Sequence, residues 1–341
     1  MSKLESSART TIETKSNAQK LLQVKNLTKV FTKGQGLVRS TILAVNDVSF
    51  SLELDRPEIF TVAGESGSGK STVAKLILGF EVPTSGKIQY KGEELSTLRG
   101  KKEFMKDVQP VFQNPFETFN PLKKVESYFH ETQKNFGMSK KNGDVAERCL
   151  ELVGLSFREI SGKYPNEMSG GQLQRASIAR ALITNPSLLI VDEPVSMIDA
   201  SLRMSVINLF KKFKEEQGVS IIYITHDLAT AYYVSDRISI MLRGQIVEIG
   251  SVKKVLDQPL HPYTQLLKSS VPLPDPANRW TKEIALSDME AKEYGQKGCK
   301  FSGRCPHVME ICRVREPDYF EVDERYVKCY LYESGSGQSA V

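Results

Sequence analysis

The sequence lacks any apolar stretch long enough to cross a bilayer. Its opening residues, Met-Ser-Lys-Leu-Glu-Ser, hold no apolar core of a secretion signal. The chain is therefore expected to be cytosolic, which leaves room for docking onto a membrane protein. A strong charge of either sign is missing too: 46 Lys+Arg stand against 41 Asp+Glu over 341 residues. So small and dispersed an excess gives no footprint for nucleic acid, and none is expected as a partner. Internal repeats and extended low-complexity tracts are absent. Cysteine is scarce, five in all, and four fall at 299, 305, 312 and 329. In a cytosolic chain that clustering favours metal over disulfides. Cys149 stands alone in a partly apolar helical context and reads as a core residue.

What is present is organised. Residues 1–21 are polar and without period, and are expected to form a mobile tail. Leu22 to Phe31 and Val45 to Leu54 alternate like strands. Ser187 to Val191 and Val219 to Thr225 are short, nearly continuous apolar runs that suit buried parallel strands. Helical patterns, Gln172 to Ile183 and Ser201 to Gln217, lie between them. Alternating strands and helices predict an α/β core with a mostly parallel sheet. Past about residue 255 prolines accumulate and the cysteine-bearing region follows, so a boundary is expected there.

Residues 64–71 read Gly-Glu-Ser-Gly-Ser-Gly-Lys-Ser, after the apolar run Ile59 to Ala63 and before a helical stretch. This is the G-x-x-x-x-G-K-[ST] phosphate loop in its strand–loop–helix setting. Glycines let backbone N–H groups curl around phosphates, and the helix start adds positive potential. Nucleotide contacts are expected from Gly64, Glu65, Ser66, Gly67, Ser68, Gly69, Lys70, Ser71 and Thr72, with Lys70 on the β- and γ-phosphates and Ser71 on Mg²⁺. A second apolar strand delivers Asp192 and Glu193 at its carboxyl end. Asp192 suits Mg²⁺, and Glu193 suits polarising an attacking water. Further on, Met168-Ser169-Gly170-Gly171-Gln172 opens a helix, with Ser169 as a cap and two glycines exposing N–H groups to an anion.

These three segments in this order resemble the ATP-binding cassette family over about residues 22–250. Met168 departs from the family's leucine, at a position of little consequence. The resemblance implies a P-loop ATPase core with an antiparallel β subdomain and a helical subdomain at about 115–185. It also implies a dimer with two ATP molecules, each held between one subunit's phosphate loop and the other's Ser169, Gly170, Gly171 and Gln172. Residue by residue, Gln113 matches the glutamine loop that contacts Mg²⁺ and the attacking water. His226 matches the switch histidine on the γ-phosphate. Asp199 matches the loop that crosses the dimer interface, and Phe31 the ring that stacks on adenine.

A narrower resemblance follows. Gln113-Asn114-Pro115-Phe116 through Asn120-Pro121, Tyr164-Pro165-Asn166-Glu167 and His261-Pro262-Tyr263-Thr264 look like the oligopeptide and dipeptide importer ATPases, with Asn114 in place of their aspartate. Residues 256–341 are accordingly read as their C-terminal extension. The four cysteines, spaced C-x5-C-x6-C-x16-C, avoid the short intervals of zinc motifs. Four thiolates suit an iron–sulfur cluster, while zinc and free or disulfide-bonded thiols stay open. Some importer ATPases carry a four-iron, four-sulfur cluster in such a tail, which implies one on Cys299, Cys305, Cys312 and Cys329. The tail is expected to be separable from ATP binding. The implied function is an importer ATPase at the cytoplasmic face of the membrane, working with two permease subunits, a second ATPase subunit and an extracytoplasmic solute-binding protein. Oligosaccharide or nickel import is the alternative cargo. A soluble cassette acting on ribosomes or DNA is the alternative class, disfavoured because the chain has one cassette and no coiled-coil insertion.

Overall fold

The computed structural model describes residues 18–33, 40–138, 145–196, 198–270 and 293–333. Most of the expected polar tail therefore lies outside the described residues, and the first strand begins at Lys20.

Two sheets form the frame. The smaller one is antiparallel: β1 (Lys20–Lys33), β2 (Ser40–Glu53), β4 (Ser85–Tyr90) and β5 (Glu93–Glu94), in the order β2-β1-β4-β5. The larger runs β11-β12-β10-β9-β3-β8-β7-β6. Its central strands are β3 (Ile59–Ala63), β6 (Val108–Val111), β7 (Leu188–Asp192), β8 (Ser220–Thr225) and β9 (Arg237–Leu242). All neighbouring pairs among these are parallel. β3 and β8 are buried at every residue, as continuous apolar runs flanked by helices on both faces demand. The expected α/β class, with an antiparallel subdomain beside a mostly parallel sheet, is the fold observed.

Helices at Val125–Asn135, Val145–Leu152 and Gly170–Leu182 gather around Phe129, Leu150 and Leu173, each fully buried. Cys149 joins this core, and burial raises its thiol pKa to about 11.

The change of character near residue 255 is not a break in the sheet. β10 (Gln245–Ser251) pairs antiparallel with β12 (Arg325–Val327), which pairs with β11 (Phe320–Val322). The tail thus lengthens the central sheet.

Candidate functional site

Register decides what meets at the sheet's carboxyl edge. Ala63 of β3 stands opposite Thr225 of β8, Asp192 of β7 opposite Ile224, and Val111 of β6 opposite Val191. The residues that follow, Gly64, Glu193, His226 and Gln113, emerge together there. That edge is where open α/β sheets bind ligands.

Glu193 is the centre of the group. One carboxylate oxygen accepts from Gln113 Nε2 at 2.9 Å, and the other lies 2.9 Å from His226 Nδ1. Its backbone sits at φ 43° and its N–H donates to Ile224 O at 2.9 Å. A non-glycine residue in this left-handed region costs about 1–3 kcal/mol, so neighbouring strands hold the carboxylate in place against strain. His226 is well exposed, with 63% of its side-chain surface open.

The loop before the helix Lys70–Ile77 can be built only from glycine at two points. A Cβ on Gly64 would lie 2.2 Å from Met241 O, and one on Gly69 2.3 Å from Ala44 O. Gly67 and Gly69 have φ of 75° and 102°. Lys70 is buried, and its ammonium donates to Gly64 O and Glu65 O at 2.9 and 2.8 Å. Burial lowers its pKa, against the opposing carboxylates of Glu193, Asp192 and Glu65. Ser68 Oγ is buried with no hydrogen-bond partner among the described residues, an orphan that a phosphate oxygen would satisfy. Asp192 accepts from the Ser71 hydroxyl; burial raises its pKa and Glu193 adds to the rise. A hydroxyl, a carboxylate and an amide oxygen are the hard donors Mg²⁺ takes, so Ser71, Asp192 and Gln113 fit that ion by chemistry.

Other expected residues lie apart. Ser169 caps the helix Gly170–Leu182, accepting from Gln172 N at 3.2 Å while its own N–H donates to Gln172 Oε1 at 3.1 Å. Among the described residues this segment makes no hydrogen bond to the phosphate loop. Asp199 is exposed at the start of the helix Ala200–Gln217. Phe31 is half-buried on β1, with the Lys29 ammonium 4.8 Å from its ring centroid.

The tail grips the phosphate loop, contacts that the expectation of separability did not include. The Glu65 carboxylate turns to Arg304, which donates at 2.9 and 3.2 Å from its two terminal nitrogens. Arg304 also donates to Glu293 at 2.6 and 3.2 Å, and Arg243 donates to Glu293 at 2.9 Å. The Glu65 N–H donates to Tyr263 Oη at 3.0 Å, and the Tyr294 hydroxyl donates to Gly67 O. None of Arg243, Tyr263, Glu293, Tyr294 or Arg304 was expected at this site.

The four cysteines line one small cavity with His261, Phe301 and His307. Burial raises the thiol pKa of Cys299 to about 11 and of Cys329 to about 12. Among the described residues, no three His, Cys, Asp or Glu side chains are gathered closely enough to hold a metal ion. The expected metal centre is therefore present as a thiol-lined cavity and not as a preformed ligand group. His261 is buried there, its pKa lowered to about 3 by burial. Its Nδ1 accepts from Tyr263 N–H at 3.0 Å, so the neutral ring carries its proton on Nε2, which has no partner among the described residues.

With this geometry in hand, comparisons with known proteins are specific. The family model described as "ABC transporter" matches residues 45–196. The model "Oligopeptide/dipeptide transporter, C-terminal region" matches residues 247–312. The chain is 38% identical over 331 residues to the oligopeptide transport ATP-binding protein AppF of Bacillus subtilis (strain 168), covering 94% of this chain and 99% of that one. It is 41% identical over 265 residues to the oligopeptide transport ATP-binding protein OppF of Streptococcus mutans, covering 76% and 84% respectively. Among solved structures it is similar to the ATP-binding cassette MJ0796 in a dimeric post-hydrolysis state bound to ADP and Pi. There the TM-score is 0.59 and the identity 29%, over 68% of this chain and 98% of that chain.

Proposed function

The chain belongs to the ABC transporter family, and we propose that it is the ATP-hydrolysing subunit of an importer of the oligopeptide/dipeptide type. The observation that carries this reading is Glu193 held between Gln113 and His226 beside the phosphate loop. Relatives named as oligopeptide transport ATP-binding proteins, alike over nearly the whole chain, supply the transport half.

ATP binds with its phosphates in the loop of residues 64–72. Ser71, Asp192 and Gln113 would hold Mg²⁺, which would supply positive charge against the phosphoryl oxygens. Glu193 orients the attacking water and draws off its proton. Gln113 and His226 fix that carboxylate from two sides and sense the γ-phosphate. The segment 169–172, with Ser169 exposed at its start, completes the site of a second ATPase subunit, whose own segment completes this one. A dimer bound to ADP and Pi is what the similar cassette MJ0796 displays.

No helix among the described residues is long and apolar enough to cross a membrane. Two permease subunits supply the channel, and an extracytoplasmic solute-binding protein delivers the cargo. The ATPase sits against them at the cytoplasmic face. A cavity of about 680 Å³ runs from Ser71, Asp192 and Gln113 to Phe80, Phe112, Thr118 and Arg180, and its side away from the Mg²⁺ residues suits the docking of a permease helix. Phe80, on that cavity, is exposed at 56%, which suits cover by a partner in the assembly. In vesicles holding the complete transporter, labelled peptide should accumulate with ATP and not when this chain carries Glu193→Gln. Uptake of a nickel or oligosaccharide tracer in place of peptide would overturn the cargo.

We further infer that the cysteine cavity takes a four-iron, four-sulfur cluster. Four thiols on one cavity supply its ligands. Tetrahedral zinc needs sulfurs about 3.8 Å apart, from a Zn–S bond of about 2.3 Å; a cubane holds them farther apart. His261 lines the same cavity, and its Nε2–H, without a partner among the described residues, would supply a donor to a cluster sulfur. Anaerobically purified protein should contain iron and sulfide. Stoichiometric zinc without iron would overturn this assignment.

A further inference from the structure

Two paths, each a few residues of chain ending in a hydrogen bond to Glu65, join the cysteine cavity to the phosphate loop. The first is His261-Pro262-Tyr263. His261 lines the cavity, and the Tyr263 hydroxyl accepts the Glu65 N–H. The second is Arg304-Cys305. Cys305 lines the cavity, and Arg304 forks onto the Glu65 carboxylate. Phe301 lies between the two paths. It is fully buried, its ring centroid is 5.5 Å from that of Tyr263, and the Arg304 guanidinium stands 5.2 Å from its centroid.

The chemistry of Glu65 gives the paths a consequence. Glu65 is the second residue of a loop built for phosphates, and an uncompensated carboxylate there repels the ligand. Arg304 compensates it with two charge-assisted bonds, the strong and directional kind. Glu293 is nearly buried and binds both Arg304 and Arg243, so the fork is held from behind. We propose that Arg304 and Tyr263 are positioning residues of the nucleotide site, and that through them ATP affinity depends on the packing of the cysteine cavity. The inference rests on the ATP-site reading above. It adds that the tail sets the shape and charge of the loop from its outer side.

The test is equilibrium binding of a fluorescent ATP analogue with Mg²⁺ to the full chain, alongside thermal melting. Arg304→Gln should weaken binding about tenfold, the scale of one charge-assisted hydrogen bond. Arg304→Lys should recover part of the loss, because a point charge neutralises Glu65 without the fork. Glu65→Gln should make Arg304→Gln nearly silent, a coupling that general destabilisation would not produce. Tyr263→Phe removes one hydroxyl and should weaken binding a few-fold with little change in melting. Cys305→Ser should weaken binding in the natural background and add nothing to Arg304→Gln. Natural affinity in folded Arg304→Gln and Tyr263→Phe would overturn the positioning roles. Natural affinity in Cys305→Ser would overturn the dependence on the cavity. Lys70→Ala separates this from the premise: if that variant still binds nucleotide normally, the ATP-site reading itself fails.

Discussion

The two ends of the nucleotide machinery are built in opposite ways. The phosphate-loop end is strained and held from within one chain: Lys70 is buried, Gly64 and Gly69 admit no side chain, and Glu193 is gripped from two strands, while Ser66, Gly67 and Ser71 of the loop face outward. At the other end, Ser169 is an exposed helix cap satisfied by its own neighbour Gln172. On the proposed reading, the groups that do chemistry are preorganised within one chain, and the cap that must meet a second subunit stands at the surface. A machine driven by association keeps its rigid half inside and offers its complementary half at the surface.

Four experiments bear on that contrast, from the largest effect to the smallest. Glu193→Gln should cut steady-state hydrolysis by about 10²–10⁴-fold, the usual worth of a positioned base, while nucleotide binding persists and an ATP-bound dimer accumulates on size-exclusion chromatography. Near-natural turnover in the complete transporter would remove Glu193 from its role. Lys70→Ala deletes a buried charge from the finished half. It should lower ATP affinity of the single subunit on the order of 10²-fold, from the loss of a charge-assisted contact and a distorted loop, as titration calorimetry would register.

Ser169→Arg tests the open half. It should leave nucleotide capture by the single subunit within about two-fold, since a surface change rarely moves stability by more than about 0.5 kcal/mol. It should abolish ATP-dependent dimerisation in sedimentation. A loss of single-subunit binding equal to that of Lys70→Ala would erase the distinction between the halves. The effect smallest at neutral pH lies in the tail. His261 has a pKa near 3 when folded, against an ordinary value near 6.5. The unfolded chain therefore binds a proton that the folded one refuses between those values. Its contribution is present above about pH 6.5 and is lost as pH falls toward 3, by about 1.4 kcal/mol per unit at most. Melting of natural protein should fall over that window more steeply than that of His261→Asn.

Much of this was legible where chemistry is contiguous in the chain. The run from Ile59 to Ile77 carries strand, loop and helix in one stretch, and the helix at Gly170–Leu182 begins where Ser169 marks a cap. Gln113 carries no local signal; only its likeness to a known loop placed it near Glu193, 80 residues away. The grip of the tail was not legible. Arg304 and Glu65 are 239 residues apart, and neither an arginine before a cysteine nor a glutamate inside a phosphate loop announces a partner. β11 and β12 span three residues each, too short for alternation to mark a strand. The cysteines drew attention as a metal framework, which hid the residues between them.

The hairpin of β11 and β12 has one more bearing, on solubility. β10 is buried along most of its length, with Ile246, Val247 and Ile249 among its residues, and β12 occupies its free side through Glu248–Val327 and Ile249–Tyr326, with Lys328 N–H donating to Val247 O at 2.8 Å. The sheet then ends on β11, where Glu321 is exposed and Asp323 and Glu324 follow at the turn. A short, acidic border repels a visiting strand, whereas a long apolar one recruits it. A fragment cut at the proline-rich stretch would retain every nucleotide motif and bare β10 as an adhesive margin. Such a fragment should self-associate through that margin, and the hairpin thereby keeps the cassette from pairing with the wrong surface.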